Sequence, residues 1–143
     1  MAFLVAFDGF DLSIAALSRA SELAETIGEE VIAVSVVPEN PLYAVECGWV
    51  DDEREFDPES VAGTLRERAE STAPAVEHRI ERVDAYAGHG TVARTIRAVA
   101  EEVDADVVFV GSDDAGRVTA PVTSVGDRIA EGTDYDVYIV RSD

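Results

Sequence analysis

The chain has 143 residues with a formal net charge of −19, and each of its 11 basic residues is an arginine. The absence of lysine excludes Walker-type phosphate binding, Schiff-base catalysis and protein kinase chemistry, and the negative charge disfavours nonspecific binding to nucleic acid. The length and a hydrophobic fraction of 47% predict one domain over residues 1–143 with a buried core.

Short apolar runs alternate with longer amphipathic segments, a pattern typical of a parallel β-sheet covered by helices. The first run, residues 3–7, predicts a buried strand that ends before an Asp-Gly pair. A helix is predicted over residues 12–27, with Asp11 as its N-cap and Gly28 as its stop. The run from 30 to 37 predicts a second buried strand.

Residues 38–56 interrupt this alternation with two prolines, a glycine and a cluster of acidic residues between 51 and 55. We predict a long surface loop over the whole segment. The acidic cluster is interpreted as a solvated surface, because it lacks the glycine-centred spacing of a calcium loop. Tyr43 and Trp49 in this loop could cover part of a binding site or pack at a subunit contact.

After this loop the alternation of helix and strand resumes. Asp57 before Pro58 is typical of an N-cap followed by proline at the first helical position, and it predicts a helix to about residue 72. Residues 76–86 are strand-like but highly charged, which predicts a strand at the edge of the sheet, with His78 exposed to solvent.

Four elements complete the pattern. A helix is predicted over residues 91–103, a strand over 106–110, a short helix within 122–129 and a last strand over 136–141. This order predicts a doubly wound α/β fold, in which right-handed crossovers place helices on both faces of one five-stranded parallel sheet.

Ligands of such sheets bind beyond the carboxyl ends of the strands, near the point where the strand order reverses. Asp8 follows the first strand and is a candidate for this position. Its carboxylate could accept hydrogen bonds from a ligand, or it could cap backbone amides of the turn that it opens.

Two further groups of candidates follow the fourth strand. Gly111 and Ser112 come directly after it, where a residue without a side chain lets the backbone approach a ligand or simply reverses the chain. Thr123, Ser124 and Val125 lie at the predicted start of the last helix, where amides and hydroxyls could hold an anion or only cap the helix.

Several of these segments form a recognisable set when they are taken together. They are FLVAFDG at 3–9, residues 32–37, ADVVFVGS at 105–112, TSVGDRIA at 123–130 and YDVYIVR at 135–141. In this order, and over almost the whole chain, they resemble the universal stress protein family. The resemblance implies an adenine-nucleotide alpha-hydrolase-like fold with strand order 3-2-1-4-5, and a homodimer formed through the last strand.

The resemblance also implies a nucleotide site, because some family members bind ATP and others do not. The adenosine contacts would be Asp8 and the backbone of Val37 or Val36. For the phosphates, Gly111 matches the first glycine of the family's loop and Ser124 its hydroxyl residue, while Ser112, Thr123 and Val125 lie beside them.

The rest of that glycine loop departs from the family's pattern. Asp114 and Thr123 stand where glycines are expected, and Asp113 adds a second negative charge beside a triphosphate. We therefore expect a stress-response or regulatory module that can bind ATP or another adenine nucleotide through a degraded loop. The alternatives are a dimerising interaction protein with a vestigial pocket and, as a third hypothesis, a slow nucleotide hydrolase.

The remaining features predict a location and exclude some sites. Cys47 is the single cysteine, and neither it nor a histidine has a partner at metal-ligand spacing, so no disulfide and no zinc site are predicted. His89, between two glycines, is interpreted as an exposed turn residue. The sequence shows no signal-like segment and no membrane-length apolar run, which predicts a cytoplasmic protein. The acidic, lysine-free composition is similar to that of cytosolic proteins of salt-accumulating halophilic archaea.

Overall fold

The computed structural model of the chain describes residues 2–86, 89–112 and 135–141. Its elements alternate between strand and helix along most of the chain. In chain order they are β1 (Ala2–Ala6), α1 (Asp11–Ile27), β2 (Glu30–Pro38), α2 (Pro41–Cys47), a 3₁₀ helix (Glu53–Glu55), α3 (Pro58–Thr72), β3 (Glu77–Val83), α4 (His89–Glu102), β4 (Ala105–Gly111) and β5 (Asp136–Val140).

The five strands form a parallel sheet in the order β3-β2-β1-β4-β5. This confirms the predicted doubly wound sheet and its order. β2 and β3 lie on one side of β1, and β4 and β5 lie on the other. The strand order therefore reverses between β1 and β4. The predicted short helix within 122–129 lies outside the described residues.

The sheet is buried on both faces because successive strand residues point to opposite sides. In β1, Phe3 and Val5 pack with α1 and α3, against residues such as Leu17 and Leu65. Leu4 and Ala6 point the other way and pack with α4. These two layers explain the continuous apolar runs in the sequence, since a strand covered on both faces has no solvent-facing side.

Helix α1 begins differently from the prediction. Asp11 is its first helical residue and not its N-cap, and Phe10 holds the cap position without a side-chain hydrogen bond. The polar contacts of this turn come instead from Asp8 and Ser13, described below. The predicted stop is confirmed, since Gly28 has a φ of 75° and donates its N–H to the carbonyl of Ala24.

The prediction of a loop over residues 38–56 is wrong. The segment contains α2 and the 3₁₀ helix, and Tyr43 of α2 is buried. Asn40 caps α2 by accepting from the N–H groups of Leu42 and Tyr43, Pro41 occupies the first turn, and Gly48 ends the helix with a φ of 91°. Proline and glycine therefore delimit a short helix here, where they were interpreted as signs of a loop.

The acidic cluster is built into the 3₁₀ helix. The Asp52 carboxylate accepts hydrogen bonds from the backbone N–H and the guanidinium of Arg54, and these bonds lower the pKa of Asp52. Both side chains are exposed, so this ion pair contributes little to stability.

The helix opened by Asp57 and the position of β3 at the sheet edge are confirmed. The predicted exposure of His78 on that strand is wrong. Its ring is half-buried, lies edge-on to Phe7 and is within hydrogen-bond distance of Ser35. None of the helices in the described ranges is long and apolar enough to cross a membrane.

Candidate functional site

The carboxyl end of the sheet is stepped, because the strands stop at different levels. β1 pairs with β2 only as far as Ala6 opposite Val34, whereas β2 continues to Pro38. On the other side of β1, β4 ends at Gly111, two residues beyond Phe109, the partner of Val5. A recess at the end of β1, beside the reversal of strand order, is the place where this class of sheet binds ligands.

Asp8 forms the polar part of this recess. One carboxylate oxygen, Oδ1, accepts from the backbone N–H of Phe10 at 3.0 Å and from the Ser13 hydroxyl at 2.7 Å. Oδ2 makes no hydrogen bond with any described residue. The interpretation of Asp8 as a turn cap therefore holds for Oδ1.

Ser13 completes the turn from the first turn of α1, and the sequence analysis did not identify it. Its buried hydroxyl accepts from the N–H groups of Asp8 at 3.2 Å and Gly9 at 3.1 Å, and donates to Asp8. The signal in the sequence was a serine five residues after Asp8, inside an apolar helical face. This arrangement fixes the carboxylate before any ligand arrives.

Gly9 allows the turn to pass close to α3. Its φ is 84°, and a Cβ at this position would lie 2.8 Å from Cδ2 of Leu65. Its carbonyl accepts from the Arg68 guanidinium at 3.0 Å. The turn that carries Asp8 is thus attached to α1 through Ser13 and to α3 through Arg68.

A cavity of about 50 Å³ lies below Asp8, on the α4 side of the sheet. Its walls are apolar and include Phe7 directly after β1, Val36 of β2, and Val92 and Ile96 of α4. Among the residues that line it, Asp8 is the one with a formal charge at neutral pH. A flat apolar group with a hydrogen-bond donor at its edge suits such a lining.

The two valines at the end of β2 point to opposite faces. Val36 lines the cavity, whereas the side chain of Val37 is fully buried against α1 and α3. Val37 also pairs with Arg82 of β3. Of the two candidates, Val36 therefore contributes a side chain to the recess.

The phosphate-side candidates are only partly described. Gly111 is buried at the end of β4, opposite Val140, and Ser112 after it is exposed. Thr123, Ser124 and Val125 lie outside the described residues, as do the aspartates at 113 and 114.

Trp49 and Tyr43 both line the cavity. The Trp49 indole Nε1–H donates to the backbone carbonyl of Asp8 at 3.0 Å. The two rings lie against each other with centroids 5.9 Å apart and planes tilted by 53°. The segment after β2 therefore closes the outer side of the recess.

Comparison with known proteins gives one family. A family model described as the universal stress protein family matches residues 1–141. No protein of curated function matches the chain by sequence.

Solved structures similar to the chain agree with that match. A universal stress protein in complex with cAMP is 23% identical, with a TM-score of 0.54 over 99% of this chain and 98% of that one. One from Archaeoglobus fulgidus in complex with dAMP is 19% identical, with a TM-score of 0.55 over 99% and 98%. A family member from Burkholderia pseudomallei is 22% identical, with a TM-score of 0.55 over 97% and 94%. These likenesses show a shared fold.

Proposed function

The chain belongs to the universal stress protein family, and from this premise we propose that it is a regulatory module that binds an adenine nucleotide at the carboxyl end of β1. The observation that carries the proposal is the cavity below Asp8. An adenine ring matches its apolar walls, and the open Oδ2 of Asp8 would accept a hydrogen bond from an amino or hydroxyl group of the nucleoside.

Two relatives support this choice of ligand. The structures with cAMP and with dAMP both contain an adenine mononucleotide on the same fold. In our chain residues 113 and 114, where the family resemblance implies the phosphate contacts, are both aspartates. Like charges about 4 Å apart cost on the order of 4 kcal/mol at an effective dielectric constant near 20, before salt screening. We therefore propose that AMP binds at least as tightly as ATP.

Two measurements on the unmodified protein test this proposal. Mass spectrometry of freshly purified, denatured protein detects any nucleotide carried through purification. Calorimetric titration with AMP and with ATP in multimolar KCl then gives both affinities. We expect saturable binding of AMP, and an ATP dissociation constant equal to or above that of AMP. Absence of both a carried nucleotide and a binding heat would refute the proposal.

A homodimer through β5 is the second part of the proposal, and the two sheet edges support it. At the β3 edge, Arg79 pairs with Glu81 and Glu102, and Arg82 pairs with Glu39 and Glu59. At the β5 edge, Ile139 is 37% exposed within the apolar sequence DVYIV. A charged edge resists pairing with another strand, and an uncovered apolar edge favours it. This assembly would persist in a protein whose pocket bound no nucleotide.

We further propose that the protein works in the cytoplasm of a cell that accumulates salt. The support is compositional: a net charge of −19 with no lysine. At about 1 M salt the Debye length is near 3 Å, so the surface carboxylates hardly repel one another. In dilute buffer the same charges oppose the compact state.

A further inference from the structure

Trp49 lines two hollows in the described part of the chain. On one side is the cavity below Asp8, of about 50 Å³. On the other, beside α3, is a hollow of about 100 Å³ whose lining includes Thr64 and Arg68. Trp49 is the one residue that lines both hollows.

The cavity as it stands is too small for the proposed ligand. Pockets that hold small organic ligands have volumes of about 300–1,000 Å³, so a space of about 50 Å³ does not hold a purine ring. The walls formed by β1, β2 and α4 belong to the packed core. The wall that can give way is the one that lies outside this core, formed by Trp49.

The backbone and the side chain of Trp49 are held by different contacts. Its N–H donates to the carbonyl of Ala44 at 2.9 Å, and Gly48 before it fits against Phe10, where a Cβ would lie 3.3 Å from Cζ. The indole is held by its hydrogen bond to the Asp8 carbonyl and by contact with Tyr43. A rotation of the side chain can therefore open the cavity without displacing α2.

We propose that Trp49 is the lid of the nucleotide site and sets its affinity. The proposal rests on the proposed function. In the free protein the indole closes the cavity through its bond to Asp8. When a nucleotide enters, that bond breaks and the ring turns toward the hollow beside α3. Since the closed form excludes the ligand, the measured affinity is the intrinsic affinity reduced by the fraction of open molecules.

The Trp49→Phe variant separates the lid from the rest of the site. Phenylalanine keeps an aromatic ring but cannot donate to the Asp8 carbonyl, so the closed form loses its hydrogen bond. A net hydrogen bond in a protein corresponds to a roughly two- to tenfold change in an equilibrium constant. We expect the variant to bind AMP about two- to tenfold more tightly than the unmodified protein. Tyr138→Phe, which removes an aromatic hydroxyl on the opposite face of the sheet, should leave the affinity unchanged.

Trp49 is the single tryptophan, so its fluorescence reports directly on the lid. Titration of the unmodified protein with AMP should change the emission, with the same midpoint as calorimetry gives. If AMP binds, but the emission stays constant and Trp49→Phe binds equally or more weakly, the lid is refuted while the proposed function stands. If calorimetry shows no AMP binding to either protein, the proposed function fails, and the lid fails with it.

Discussion

His78 of β3 and Ser35 of β2 share a partly buried hydrogen bond, with Nε2 and Oγ 2.9 Å apart. The Ser35 hydroxyl donates its one hydrogen to the carbonyl of Phe7 at 2.6 Å, so it must accept from Nε2–H. The other ring nitrogen, Nδ1, is buried and has no partner among the described residues, so a proton on it would have no acceptor there. This arrangement favours the neutral ring, with its lone pair on Nδ1. This pair connects the edge strand to the residue before Asp8.

The first prediction concerns the pH dependence that this histidine confers. Burial, aided by the nearby positive charge of Arg66, lowers the pKa of His78 from 6.5 to about 4. Between these values the unfolded chain binds a proton that the folded chain does not, so the His78 contribution to stability is complete above pH 6.5 and is lost as the pH falls toward 4.

The variant His78→Gln keeps an N–H donor but cannot titrate. From pH 7 to pH 4.5 the unmodified protein should lose about 1–2 kcal/mol more unfolding free energy than this variant, a figure reduced for the partial exposure of the ring. Urea titrations at constant KCl measure the difference. His89→Gln serves as the matched control for loss of a histidine. If the unfolding free energies of His78→Gln and the unmodified protein change in parallel with pH, the prediction is contradicted.

The second prediction contrasts two glycines. Gly9→Ala should destabilise the protein by about 1–3 kcal/mol, because residue 9 has a positive φ and its Cβ would lie 2.8 Å from the Leu65 side chain. Gly63→Ala, inside α3 with open space around its Cβ position, should stabilise by about 0.5–1 kcal/mol. Denaturant midpoints of the two variants test this, and equal midpoints would show that the turn tolerates a side chain.

The third prediction tests the proposed dimer. Ile139→Glu puts a charge on the exposed edge of β5 and should convert a dimer to a monomer in sedimentation experiments at high KCl. Ile27→Glu is the matched control, since Ile27 is 61% exposed at the end of α1 and does not lie on a sheet edge. A dimer that survives Ile139→Glu would place the interface elsewhere.

The fourth prediction concerns salt. Because the chain carries a net charge of −19, its melting temperature should rise by more than about 5 °C between 0.1 M and 2 M KCl, or about 1 kcal/mol or more for a domain of this size. Thermal melts at several KCl concentrations measure this. A melting temperature independent of salt would refute the proposed adaptation.

The sequence predicted most of the fold because the signals are local. Gly28 ends α1 because glycine readily adopts the left-handed conformation, and Asp57 opens α3 because its carboxylate caps the helix. The apolar runs mark the buried strands. Helix α2 was missed although Asn40, Pro41 and Gly48 delimit it, because the same residue types also punctuate loops.

The candidate site was harder to predict, because its contacts span long stretches of chain. Asp8 was found from its place after β1, but its hydrogen bond from Trp49 joins residues 41 positions apart, and nothing local to either residue indicates it. The burial of His78 likewise depends on the pairing of β2 with β3, which sets it beside Ser35. The periodicity of apolar residues predicts the helices and strands. Contacts between residues far apart in the sequence depend on how those helices and strands pack.

The most direct test of the nucleotide site is calorimetric titration of the unmodified protein and of Asp8→Asn with AMP in multimolar KCl. Asparagine keeps the oxygen that accepts from Phe10 and Ser13, and replaces the open Oδ2 with an N–H₂ donor. We predict that the unmodified protein binds AMP and that Asp8→Asn binds at least about tenfold more weakly, since it turns the acceptor toward the ligand into a donor. Equal affinities, or no binding by the unmodified protein, would contradict the assignment.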